Sequence, residues 1–333
     1  MAMTGRLAAW VALLAAAAWG QDGTPVFRAT SELVLLDVQV IDKHTNTATG
    51  KLQATDFELS EDGAPQRISF FGRDQLPLAV VLLFDLTEST RGVLRRLAAG
   101  AQTALDHLKP EDEVAVMVYA AAAQLVDGFT CDHARTAGAV ARAAAMKSGD
   151  AAFFNEAVYQ AALQLENSAS PSSRRVILWF TDNMPNVPSG FNIRYHAKGL
   201  KGAPPHTGEE AIRKLHESGT VVMPLLLKDP LAAIWAEMVI VNESPFRKKY
   251  PPGDAHQYAE LTGGFAAGMR GREVQERLAQ AIDSLRGRYT IGYRPAEDKP
   301  PGTLCRVKGS LAPGAPLRPQ EWTVLARAGY YRR

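Results

Sequence analysis

Four apolar runs set the frame of the chain. Residues 78–84 read L-A-V-V-L-L-F, 113–119 read E-V-A-V-M-V-Y, 175–181 read R-V-I-L-W-F-T, and 220–227 form a fourth. Such runs do not alternate polar with apolar positions, so they suit parallel strands covered on both faces. Between them the hydrophobic period becomes helical. Residues 91–108 place Leu94, Leu97, Ala98, Ala101, Leu105 and Leu108 on one side, and 272–285 carry a stripe of Val274, Leu278, Ile282 and Leu285. Asp132 is placed to cap a helix over 133–145, and Asn155 to cap one running to about residue 165. Thr207 and Glu210 have the spacing of a capping box, Gly219 closes that helix, and Gly263-Gly264 stops another over 254–261. Residues 124–129 form a hairpin strand with the second run. Strands alternating with helices predict an α/β fold, a doubly wound and mostly parallel sheet over 77–293, with 288–293 as its last strand or exit.

The two ends have a different texture. Residues 32–42 are dense in aliphatic and β-branched side chains, 56–63 end in the turn signal Asp62-Gly63, and 67–71 alternate. The tail, 294–333, is again strand-like at 304–311 and 322–327, between proline-rich connectors. A β-rich segment over 21–76 is too small to build a core alone. The expectation is one β module contributed by both ends, split around the α/β domain.

Residues 1–20 carry a single charge, Arg6, followed by an uncharged stretch and the small residues Ala18 and Gly20. This is the layout of a cleavable signal peptide, and it predicts a protein secreted or delivered to the periplasm. An exported chain with two cysteines, Cys131 and Cys305, allows a disulfide between them. Across the 333 residues, 37 Lys+Arg against 35 Asp+Glu leave no basic excess, which argues against a nucleic-acid partner.

Ligands bind open α/β sheets at the carboxyl ends of the strands. The first run delivers Asp85-Leu86-Thr87-Glu88-Ser89, in which Asp85, Thr87 and Ser89 can converge, and the third delivers Asp182. Two carboxylates and two hydroxyls suit a hard cation, Mg2+ or else Mn2+ or Ca2+. No G-x-S-x-G elbow, phosphate-binding loop or H-E-x-x-H motif occurs, so no common catalytic signature competes.

The D-x-T-x-S segment resembles the D-x-S-x-S metal-ion-dependent adhesion site (MIDAS) of von Willebrand factor type A domains, and Leu178 to Asp182 resembles that fold's later strand and metal aspartate. Asp56-Phe57 with Glu61-Asp62-Gly63, Leu261-Thr262-Gly263-Gly264, Tyr289 to Tyr293 and Arg327 to Tyr331 resemble the acidobacterial type of von Willebrand factor A-related protein. The resemblance implies a non-enzymatic, adhesion-type module. A cation held by Asp85, Thr87, Ser89 and Asp182 would there be completed by a carboxylate from a protein or peptide partner. Two features depart from the family pattern. Asn183 replaces a glycine, and the usual threonine ligand of a later loop is absent, with Glu156 or Asp150 standing in its place depending on the anchor chosen. Two long loops, 184–205 with Phe191, Arg194 and Tyr195, and 228–253 with Trp235, carry the residue types favoured for contacting a partner. The competing readings are a metal-free scaffold, in which Asp85 and Thr87 merely cap a helix, and a metal-assisted hydrolase using Asp85 or Asp182.

Overall fold

In the computed structural model the described residues are 33–45, 47–49, 51–73, 76–149, 151–184, 206–227, 253–295 and 299–332. The expected signal peptide, Asp150, and the loop residues Phe191, Arg194, Tyr195 and Trp235 lie outside them.

The buried apolar runs form the centre of a six-stranded sheet. Its strands are β6 (Leu78–Asp85), β7 (Glu113–Tyr119), β8 (Ala123–Thr130), β9 (Arg174–Thr181), β10 (Val221–Leu227) and β11 (Ala267–Met269), in the order β11-β10-β9-β6-β7-β8. All pairings are parallel except β7 with β8, the hairpin at one edge. Every residue of β6 is buried, because helices cover both faces. Leu78, Val80, Leu82 and Phe84 point into one apolar layer, together with Leu94 and Leu97 of α1 (Glu88–Leu105), Val140 of α2 (His133–Ala145) and Leu278 and Ile282 of α6 (Val274–Arg286). Ala79, Val81 and Leu83 point into the other, with Val158 of α3 (Phe154–Gln164), Leu215 of α4 (Gly208–Ser218) and Tyr258 of α5 (Ala255–Thr262). Helix α1 begins at Glu88, three residues before the apolar period becomes visible in the sequence.

Strands from both ends of the chain share two further sheets. One has the order β14-β1-β12-β5, with β2 (Ala48–Thr49) added to β1, and the other β15-β13-β3-β4. Here β1 is Val34–Asp42, β3 Phe57–Glu61, β4 Ala64–Gln66, β5 Ile68–Gly72, β12 Tyr289–Tyr293, β13 Leu304–Leu311, β14 Trp322–Leu325 and β15 Gly329–Tyr331. Leu36, Val38, Phe57, Leu59, Tyr289, Ile291, Tyr293, Val307 and Tyr330 bury one another in a separate core. Strand β12 is the difference from the sequence reading: it pairs antiparallel with β1 and β5, outside the parallel sheet. It emerges directly from α6, so in the sequence it looks like one more β–α–β step.

The cysteines do not bridge. Cys131 is free and exposed beyond β8, and Cys305 is free and buried in β13. Asn155 does not cap α3, whose N-cap is Phe153; its side chain is buried and accepts a 2.7 Å hydrogen bond from the Tyr258 hydroxyl. Asp132 and the Thr207–Glu210 pair do cap their helices. Among the described residues, no helix is long and apolar enough to cross a membrane.

Candidate metal centre

Parallel register brings the ends of the central strands to one level. Asp85 pairs with Tyr119, and Phe84 with Phe180, so Asp182 emerges beside Asp85 just past the end of β9. After Asp85 the chain turns within two residues into α1. Asp85 Oδ1 accepts the Thr87 N–H at 2.8 Å, and the Thr90 hydroxyl sits 2.6 Å from the Asp85 carbonyl oxygen and 3.0 Å from that of Thr87. These contacts hold the turn in place.

Thr87 is the N-cap residue of α1, but its side chain makes no capping bond. Its hydroxyl lies 3.2 Å from that of Ser89, and the Ser89 hydroxyl donates to Asp182 Oδ2 at 2.5 Å. Asp182 Oδ1 accepts the Met184 N–H at 2.9 Å. The next residue, Asn183, takes a left-handed conformation with φ 58°, which asparagine tolerates better than most side chains. Its amide donates to Asp254 at 3.1 Å and accepts the Ala255 N–H at 2.9 Å, tying the metal-side loop to the start of α5.

Asp85 is 1% exposed. Burial first, and the charge of Asp182 second, push its carboxyl up to about 6, against the lowering effect of the hydrogen bonds from Thr87 and Tyr119. Among the described residues, no lysine, arginine or histidine pairs with Asp85 or Asp182. The charge of Asp182 is thus felt at Asp85 with no paired protein cation among the described residues to offset it. The donor set is all oxygen, two carboxylates and two hydroxyls, which fits a hard divalent ion.

Glu156 is committed elsewhere. Its Oε2 accepts the His206 N–H at 2.9 Å and faces His206 Nδ1 at 2.6 Å, while Oε1 accepts from Gln160 at 3.0 Å. The His206 ring also stacks on Tyr159 at 3.5 Å. Glu156 therefore anchors the segment entering α4, and it does not join Asp85 and Asp182. Among the described residues the one close group of three His, Cys, Asp or Glu side chains is Glu61, Asp62 and Cys305, which lies in the β module. The loop before α3 approaches the centre differently: the Gly149 N–H donates to Leu86 O at 3.0 Å, and the Ser148 hydroxyl donates to Glu88 at 2.7 Å.

Tyr119 and Thr181 belong to the centre although the sequence reading passed over them. The Tyr119 hydroxyl lies 2.9 Å, and the Thr181 hydroxyl 3.2 Å, from Asp85 Oδ2. Burial and the Asp85 charge push the Tyr119 phenol well above its ordinary range. The available signal was positional: both are polar residues ending apolar runs, as Asp85 is.

The strand order, the helices on both faces and the strand-end aspartate followed by paired hydroxyls define a von Willebrand factor A-type fold. Residues 80–184 match the von Willebrand factor type A domain model, so the chain contains a domain related to that family. Similar solved structures include the conserved hypothetical protein BatB from Bacteroides thetaiotaomicron, with 17% identity, a TM-score of 0.41, and 62% of this chain and 98% of that one covered. An aerotolerance-related membrane protein from Bacteroides fragilis has 18% identity and a TM-score of 0.38 over the same shares, 62% and 98%. A mutant of the PilB minor pilin from Streptococcus sanguinis has 9% identity and a TM-score of 0.43, with 65% and 63% covered. No curated protein matches the sequence.

Proposed function

We propose that this is an exported, non-enzymatic binding protein, of the acidobacterial kind its sequence motifs resemble, that engages an acidic group of a protein or peptide through a divalent cation. Asp85, Thr87, Ser89 and Asp182 would hold Mg2+ or Mn2+. The cation would supply residual positive charge, which a partner's aspartate or glutamate completes. The observation that carries this reading is the Thr87 side chain. A scaffold in which Thr87 served only to start α1 would turn its hydroxyl to the helix N–H groups, whereas here it faces Ser89 and, through it, Asp182. With Glu156 directed to His206, the centre has two carboxylates among the described residues, and a cation held by two would keep more positive charge for the partner than one held by three.

Isothermal titration of the purified chain with MgCl2 and MnCl2 tests the reading. Saturable binding in the wild type, reduced at least a hundredfold by Asp85→Ala, is expected. No binding to either ion in a folded wild-type protein overturns it. A metal-assisted hydrolase, in contrast, would show turnover on simple phosphoesters that depends on Asp182.

A further inference from the structure

The hydrogen-bond polarity around Asp85 is set by donor-only groups behind it and by the carboxylate's own charge. Trp179 Nε1–H, fully buried, donates to the Tyr119 hydroxyl oxygen at 2.9 Å. The Tyr119 proton then has two acceptors in reach, Asp85 Oδ2 at 2.9 Å and Thr181 Oγ1 at 3.4 Å, and the nearer, charged carboxylate takes it. In the same way the Asn183 backbone N–H donates to Thr181 Oγ1 at 3.1 Å, and the Thr181 proton goes on to Asp85 Oδ2 at 3.2 Å. An ionised carboxylate has about four lone-pair positions. Both on Oδ2 are taken by these hydroxyls, and one on Oδ1 by the Thr87 N–H.

We infer that Tyr119 and Thr181 determine which cation the centre selects, by making Asp85 a one-point ligand. A single lone pair on Oδ1 remains to meet an ion, directly or through a water. Mg2+ and Mn2+ complete a compact octahedron from single-oxygen contacts. Ca2+ is larger, takes six to eight oxygens and gains most from carboxylates that can offer both. The hydroxyl pair closes the bidentate option, and the burial of Tyr119, Trp179 and Thr181 holds it closed. Tyr119 and Thr181 are thus positioning residues, acting on the cation through Asp85.

This inference rests on the binding reading above, and the experiment separates the two. Mg2+ and Ca2+ affinities are measured by isothermal titration for the wild type, Tyr119→Phe, Thr181→Val and the double variant. Circular dichroism and thermal melts confirm that each variant is folded. The expected result is wild-type preference for Mg2+, with the Ca2+-to-Mg2+ affinity ratio rising about tenfold in either single variant and further in the double, mainly through tighter Ca2+ binding. Equal loss of both affinities, with the ratio within twofold of wild type, overturns the inference and leaves the binding reading standing. A wild type that binds neither ion overturns the binding reading itself. Thr181→Val is close to isosteric, so it decides the matter should Tyr119→Phe not fold.

Discussion

At the residue scale, Asp85 links proton binding to stability and, in the proposed function, to metal affinity. Its folded-state value of about 6 stands above the ordinary 3.8, so the folded chain holds that proton more tightly than the unfolded chain does. Without a cation, the resulting stabilisation is complete below pH 4 and is lost as pH rises through the window from about 4 to 6. The total is about 3 kcal/mol at 1.36 kcal/mol per unit. Urea unfolding in EDTA at pH 5 and pH 7.5 should show about half of this loss, about 1.4 kcal/mol, in the wild type, and Asp85→Asn should remove that part of the difference. Equal pH dependence in both proteins would refute the assignment. In the proposed function cation and proton would compete for this one carboxylate, so Mg2+ affinity should weaken about tenfold per pH unit below about 6.

At the element scale, the motif Leu261-Thr262-Gly263-Gly264 has a physical reason. Gly263 closes α5 in the left-handed conformation, at φ 76°. A Cβ there would come within 2.5 Å of the Ala326 carbonyl carbon, and one on Gly264 within 1.9 Å of the Val222 oxygen. The C-terminal segment docks on this corner, with the Ala328 N–H donating to Leu261 O at 2.9 Å. Gly263→Ala should therefore cost more than the roughly 1 kcal/mol of an ordinary left-handed glycine, about 2–3 kcal/mol in chemical denaturation.

Much of the architecture was legible from sequence for a related reason. Runs such as 78–84 are apolar at every position because both faces are covered, and Asp85 and Asp182 stand out at their ends. Strand β12 was not legible as part of the β module: Tyr289 to Tyr293 follows a helix, as a further parallel strand would, and periodicity does not say which sheet a strand joins. Tyr119 was hidden because an aromatic at the end of a buried run reads as core. The placement of Glu156 depended on His206, fifty residues away in the chain and joined to it only in three dimensions.

At the scale of the whole molecule, the β module and the α/β domain are joined by a buried charge cluster. Asp37 on β1 pairs with Arg174 on β9 at 2.9 Å and with Arg288, just before β12, at 2.6 Å. Arg288 is fully buried and also donates to Gln39 at 2.8 Å and to Gly263 O at 2.8 Å. Burial pulls its guanidinium below its ordinary range, and the charge of Asp37 opposes that shift. Asp37→Ala would leave two guanidiniums without their shared anion, and about 3–5 kcal/mol of stability should be lost. A thermal melt that does not move would show that the two parts are held together by other contacts.

Strand β1 lies between β12 and β14, partners from the other end of the chain. This pairing sets an order of events during synthesis. The parallel sheet can form as soon as its own strands have emerged, whereas β1 has only the two-residue strand β2 as a partner until β12 and then β14 follow. Through that interval its apolar face, Leu36, Val38 and Val40, needs protection by a chaperone or by speed. Closure of the β module therefore waits for β14, and a product truncated before that strand would leave part of one edge of β1 unpaired.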